Sequence, residues 1–192
     1  RLVRYAHLST GNYNARTARL YTDLGMLTAS PELTADVEAV FLHLASQSRL
    51  PRLHQLLMAP FHLHKALLEH IAQLAASASA GGDTRIVVKA NALSDEALTQ
   101  ALVHAGQCGV RIDLIVRGAC ILPPQIPGLT HNIRVRSVIG RFLEHTRIFY
   151  FRDGEHEQLY LSSADWMNRN MLRRVELAWP IHDPAIRQRI VD

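Results

Sequence analysis

The residues best placed to do chemistry lie in His145-Thr146-Arg147-Ile148-Phe149-Tyr150-Phe151 and in the segment that follows, Leu159 to Trp166. Alternation with a period of two predicts a strand on which His145 and Arg147 share one face near its start. Arg152-Asp153-Gly154 predicts a hairpin turn. The return strand then ends in Ser162-Ser163-Ala164-Asp165, which brings hydroxyls and a carboxylate to the same end of the pair. An imidazole can serve as nucleophile or proton donor, a guanidinium neutralises phosphate oxygens, and the hydroxyls and carboxylate hold the rest. That is a set suited to phosphoryl transfer. The same residues also fit an ordinary half-buried hairpin with an exposed histidine and arginine.

An internal repeat shifts the balance. Leu8-Ser9-Thr10-Gly11-Asn12-Tyr13 aligns without gaps on Leu161-Ser162-Ser163-Ala164-Asp165-Trp166, and the same offset pairs His7 with Tyr160 and Arg16 with Arg169. Each copy reads apolar, Ser, hydroxyl, small, Asx, aromatic. A histidine, a cation two residues on and Ser-x-Asx after a hairpin, present as two half-sites, resemble the phospholipase D superfamily.

A closer resemblance is carried by RYAHLSTGNYN, TARLYTDLGMLTA, LIVRGAC, NIRVRSVIGRFLEHTRIFYF and YLSSADWMNRN, which are spread over almost the whole chain. These segments are similar to the polyphosphate kinases of the phosphohistidine type. The resemblance implies reversible transfer of the terminal phosphoryl group of ATP to inorganic polyphosphate through a phosphohistidine, with magnesium, in a homo-oligomer. It implies that residues 1–55 end a first phospholipase-D-like catalytic domain and that residues 56–192 form most of a second one. The family's phosphorylated histidine and the arginines associated with its magnesium lie upstream of Arg1, so no metal site is expected here and the segment alone is expected to be inactive. His145 matches a histidine that protonates or orients the leaving phosphate. Tyr21 matches a tyrosine near the nucleotide, Arg117 an arginine on the ATP phosphates, and Arg174 an arginine facing the phosphate tunnel. Ser9 departs from the family's usual glycine, and a positive φ there would cost about 1 kcal/mol. Other readings remain: a superfamily phosphodiesterase, or a non-catalytic polyanion-binding module.

Further residues are candidates on their own chemistry. Arg117 closes an apolar run at the carboxyl end of a strand, where open α/β sheets bind ligands, and Gly118 behind it would let phosphate near the backbone. Arg134 and Arg136 share a strand face that either lines an anion channel or is solvated. His7, Asn12, Arg147, Ser163 and Asp165 are possible supporting residues, His7 equally a structural one. The remaining histidines show no convincing metal-binding spacing and most of them read as surface residues, and Trp166 and Trp179 read as packing.

These side chains must be positioned by an α/β fold, a phospholipase-D-like mixed sheet flanked by helices. A strand at Leu2–Leu8 enters a turn in which Gly11 permits a positive φ. Ser30-Pro31-Glu32 starts a helix that runs to about Ala45. Residues 46–60 read as a connector, and a second helix covers 61–76. Strand 85–90, helix 94–107 and strand 110–117 imply a right-handed crossover with parallel pairing. Strands follow near 132–138, 145–151, 158–163 and 174–179, and Asp183-Pro184 starts a last helix.

The composition fits a folded protein. The chain has 192 residues, 48% of them hydrophobic, with a net charge of +4, which excludes disorder. Two cysteines in no CxxC spacing exclude a disulfide scaffold and a thiolate zinc site. No apolar run of about 18 residues is present, and no signal peptide is recognisable, so a cytoplasmic location is expected, with peripheral membrane association left open. The mild basicity points to an anionic partner, read here as ATP/ADP and polyphosphate rather than nucleic acid. Arg1 falls in a strand-like run and Asp192 in a helix-like one, so the sequence is expected to be a fragment.

Overall fold

The computed structural model describes residues 3–46, 49 and 51–192. The chain runs β1 (Ala6–Ser9), β2 (Tyr21–Thr22), β3 (Gly25–Thr28), α1 (Pro31–Ser46), β4 (Leu57–Ala59), α2 (Leu63–Ser79), β5 (Thr84–Ala90) and α3 (Glu96–Gln107). It continues through β6 (Arg111–Val116), β7 (Ile133–Arg136), β8 (Leu143–Glu144), β9 (Arg147–Asp153), β10 (His156–Ser162), α4 (Asn168–Leu172), β11 (Glu176–Pro180) and α5 (Pro184–Val191). Seven strands form one mixed sheet in the order β4-β11-β10-β9-β5-β6-β7. β5, β6 and β7 are parallel, and the other pairs are antiparallel. The class is α/β, as the strand–helix–strand pattern requires.

Each face of the sheet has a different cover. Ile86, Val88, Ile112, Leu114, Phe149 and Phe151 point to the face packed by α2 and α3, whose stripes Leu67, Ile71, Leu74 and Leu98, Leu102 are buried. Burying each such side chain is worth about 1.5–3 kcal/mol, so this layer dominates the stability of the sheet. On the opposite face Tyr150, Leu159, Leu161 and Trp179 pack against Leu8, Leu33 and Val40 of β1 and α1. That cover stops short of β6 and β7, where Arg111, Arg134 and Arg136 stand exposed.

Several boundaries move. The 46–60 connector contains a strand, because Leu57–Ala59 pairs with β11 and becomes the sheet edge. Before that strand, the buried Asp36 of α1 accepts hydrogen bonds from the backbone N–H groups of His54, Gln55 and Leu56 at 2.6–3.0 Å. α4 occupies residues that lack a clear helical stripe. The first strand is Ala6–Ser9, and Leu2 lies outside the described residues. β9 starts at Arg147, so His145 precedes the strand and shares no strand face with it. Most of the remaining histidines are exposed, while His43, His62, His64 and His70 are half-buried. His64 Nε2 meets Asp95, the N-cap of α3, at 3.0 Å, and His70 stacks on Phe151 with ring centres 5.0 Å apart.

Candidate active site

The site forms where β1–β3 meet the amino-terminal end of β9. β2 pairs in parallel with β8, and Thr22 O receives the backbone N–H of His145 at 3.3 Å and Thr146 Oγ1 at 3.2 Å. Tyr21 is thereby laid against the imidazole of His145, with ring centres 4.7 Å apart and planes tilted by 45°. The next residue but one, Asp23, takes His145 Nδ1 at 3.0 and 3.1 Å.

Asp23 is itself fixed. Thr10 Oγ1 donates to its carboxylate at 2.7 Å and accepts the backbone N–H of Leu24 at 3.1 Å. Gly11 makes room for it: a Cβ at that position would lie 2.9 Å from Asp23 Cγ and Oδ2. Gly11 is needed for space and not for conformation, because its φ is not among the positive ones. Ser9 carries no positive φ either, so its replacement of glycine stores no strain; its Oγ accepts the Gly11 N–H at 3.0 Å.

Arg147 closes the other side. Its guanidinium holds the buried Asp165 through Nε at 3.2 Å and Nη2 at 3.0 Å, and Nη1 donates to Thr10 O at 3.1 Å. Asp165 also accepts the backbone N–H of Asn91 at 2.7 Å. Arg147 Nη1 lies 3.0 and 3.1 Å from the two ring nitrogens of His145. Equal approach to both nitrogens in the ring plane would force it onto Cε1, so it sits over the face of the ring. Burial, and then the charge of Arg147, hold the His145 pKa below its ordinary value, against the opposing hydrogen bond to Asp23. The resting ring is therefore neutral near pH 7. With Nδ1–H given to Asp23, Nε2 keeps its lone pair for an incoming group.

The other candidates are arranged differently. Arg117 follows β6, with Nη1 buried and without a partner, and Asn91 beside it buries an equally unpartnered amide. Gly118 donates to Asn91 O at 2.8 Å, and a Cβ there would lie 2.9 Å from that oxygen. Ser163 Oγ bonds Glu176, not His145. Asn12 makes a local turn by accepting the Asn14 N–H at 2.8 Å. His7 bonds Tyr13 Oη at 3.0 Å. Arg174 is exposed, and no hydrogen bond or ion pair among the described residues ties it or Arg117 to His145. Among the described residues no three His, Cys, Asp or Glu side chains converge on a metal position, so the magnesium implied by the resemblance finds no ligand set in these residues alone. A cleft of about 630 Å³ opens on the far side of Asp23, between Lys89–Glu144 and Ile186 of α5, and His145 does not line it.

The repeat persists in three dimensions and reaches further than its sequence match. Thr10 N donates to Leu24 O at 3.0 Å and Ser163 N to Leu177 O at 3.0 Å; Ala164 N donates to Ser162 Oγ at 3.0 Å as Gly11 N does to Ser9. The carboxylates bound by the two hydroxyls, Asp23 and Glu176, stand at the same offset. Asp23 was invisible as a site residue because a lone carboxylate after a short loop belongs to no motif. Extending the repeat to Asp23-Leu24-Gly25 against Glu176-Leu177-Ala178 would have exposed it.

Two family models cover the chain: polyphosphate kinase C-terminal domain 2 over residues 56–192, and polyphosphate kinase C-terminal domain 1 over residues 1–50. The chain belongs to the polyphosphate kinase family. It is 53% identical over 190 residues to the polyphosphate kinase of Paraburkholderia phytofirmans, covering 99% of this chain and 28% of that protein. The crystal structure of polyphosphate kinase from Porphyromonas gingivalis matches it with a TM-score of 0.93 at 39% identity, over 98% of this chain and 29% of that one. Nuc of Salmonella typhimurium, a phospholipase D family member, gives a TM-score of 0.48 at 14% identity, over 71% of this chain and 88% of that one. The chain thus spans under a third of the length of the polyphosphate kinases it matches.

Proposed function

We propose that this chain supplies one half of the phosphoryl-transfer site of an ATP:polyphosphate phosphotransferase, the other half coming from sequence outside it. The observation that carries this reading is the Asp23–His145–Arg147 cluster, to which one copy of the repeat supplies Thr10 and Asp23 and the other supplies Asp165. In it, His145 presents Nε2 to the phosphoryl group, and Asp23 stabilises the imidazolium when the ring takes a proton. A bound phosphate anion raises the pKa that Arg147 and burial depress, so the ring is charged as substrate arrives and can then protonate the leaving oxygen. Arg117, with its unpartnered buried nitrogen, is suited to hold ATP phosphates, and Arg174 to follow the polyphosphate.

The nucleophile of the reading is a histidine contributed from outside this chain. Glu176, held by Ser163 and by Asn170 Nδ2 at 2.7 Å, occupies the position toward that half that Asp23 occupies toward His145. ATP/ADP and inorganic polyphosphate are the substrates, and a homo-oligomer is the proposed state of the intact protein. This chain by itself is expected to bind and not to turn over.

The test uses the intact protein that contains this chain. His145→Ala should remove most turnover in both directions while ATP still binds. Unchanged turnover, or release of a cleaved phosphodiester with no polyphosphate-dependent phosphorylation of ADP, would sink the reading.

A further inference from the structure

Past the last paired residues of β5 and β6 the two segments stay together. Ala90 stands opposite Val116, Arg117 N donates to Ala90 O at 3.3 Å, and Gly118 N donates to Asn91 O at 2.8 Å. A Cβ on Gly118 would lie 2.9 Å from Asn91 O, so a side chain there would push the segments apart. On its other side Asn91 N donates to Asp165 Oδ1 at 2.7 Å, the carboxylate that Arg147 grips beside His145. Asn91 is therefore bonded through its backbone to the Arg117–Gly118 segment and to the His145 cluster at once.

The side chains at this joint carry complementary bonds that are not made. Asn91 is 7% exposed, and neither its Oδ1 nor its Nδ2 has a partner. Arg117 buries an unpartnered Nη1, while its Nε and Nη2 are not enclosed in this way. These buried atoms are surrounded by this chain's own residues. Of the described residues that bury unpartnered polar atoms, Asn91 is the one bonded to the backbone beside Arg117. A guanidinium nitrogen can only donate, and the carboxamide oxygen is an acceptor. Leaving both unsatisfied in the interior is unfavourable, and a native protein that does so calls for a functional reason.

We propose that Asn91 is a positioning residue for Arg117: in the ATP-bound protein Asn91 Oδ1 accepts Arg117 Nη1 and so aims the two outer nitrogens of the guanidinium at phosphate. Because this bond is not made in the free protein, its formation favours the bound state. A planar fork held by its inner nitrogen presents the others in a fixed geometry, which suits it to phosphate oxygens. The backbone bonds of Asn91 keep that fork in register with Asp165, Arg147 and His145. The proposal rests on the reading of Arg117 as the residue that holds ATP phosphates.

The test measures binding of the β,γ-imido analogue of ATP to the intact protein and to its Asn91→Ala, Arg117→Ala and doubly substituted variants. Asn91→Ala should weaken binding about tenfold, the scale of one hydrogen bond to a charged group. In the Arg117→Ala background the same change should cost less than about twofold, because the group it acts through is gone. Asn91→Leu keeps the volume without the acceptor, stands in should Asn91→Ala not fold, and should lose as much. No loss in either Asn91 variant, or the same loss with and without Arg117, overturns the positioning while Arg117→Ala still weakens binding. A loss in Asn91→Ala that Asn91→Leu recovers is one of packing and overturns it too. Undiminished binding by Arg117→Ala overturns the reading of Arg117 and the positioning together.

Discussion

Asp23 and His145 are 122 positions apart in sequence and meet with 3.0 Å between a carboxylate oxygen and Nδ1. The pairing favours the tautomer with the proton on Nδ1, which leaves Nε2 with its lone pair. Because Asp23 comes from the β1–β3 segment and His145 from the sheet, neither segment builds the pair alone. Asp23→Asn in the intact protein should keep the fold and lose about 10²–10⁴-fold in kcat, with ATP affinity little changed. Steady-state kinetics with ATP binding measured separately check this; equal losses in kcat and affinity would speak against it.

Gly11→Ala should act through that same carboxylate. The added Cβ would lie 2.9 Å from Asp23 Cγ and Oδ2, so Asp23 must move and its bond to His145 lengthens. Overpacking of this kind costs about 1–3 kcal/mol. Denaturant unfolding should register that loss, and an NMR titration should find the His145 pKa lower still, since the hydrogen bond that opposes the depression weakens.

Arg147→Ala should be among the most destabilising single changes. It leaves Asp165, of which 11% of the side chain is exposed, as a buried charge without its cation, and it strips Thr10 O of a donor. Removing one partner of such a pair costs about 3–5 kcal/mol. Arg147→Lys keeps the charge but not the fork, and should recover only part of the loss in a denaturant melt.

Stability should also depend on pH in a defined window. His145 and His70 are both held below their ordinary pKa, chiefly by burial. The unfolded chain therefore takes protons first as pH falls, near 6.5, and the folded chain later. Stability from these two groups is complete above about pH 6.5, declines below it, and levels off once the folded pKa values are passed. Unfolding curves across that range should show the decline, and His70→Phe, which keeps a ring against Phe151, should make it shallower. An unchanged slope would remove His70 from the account.

What the sequence made legible follows how local each signal was. β5 shows an apolar core of Ile86-Val87-Val88, residues 110–117 are mostly apolar, and β9–β10 are joined by a turn with Gly154 at a φ of 57°, so they could be read directly. His145, Arg147 and the Ser-x-Asp segment were picked out from the hairpin that joins them, and the repeat drew attention to the last; Ser163 itself turns to Glu176. β4 was hidden because three residues have no period to display and become a strand only by pairing with β11. The two-residue strands β2 and β8, which deliver Tyr21 and Asp23 to His145, are likewise products of tertiary contact. Arg147 and His145 do come together, as their i, i+2 spacing suggested, although β9 begins only at Arg147.

The Asp36 clamp has a mechanical consequence. Four N–H···O contacts from three successive backbone groups converge on one carboxylate, so residues 54–56, just ahead of β4, are tied to the body of α1. With β4 then stitched to β11, the two halves of the molecule are joined by a stiff splice at the sheet edge opposite β7. The clamp and the β4–β11 pairing thus fasten α1 to the edge of the sheet far from β7.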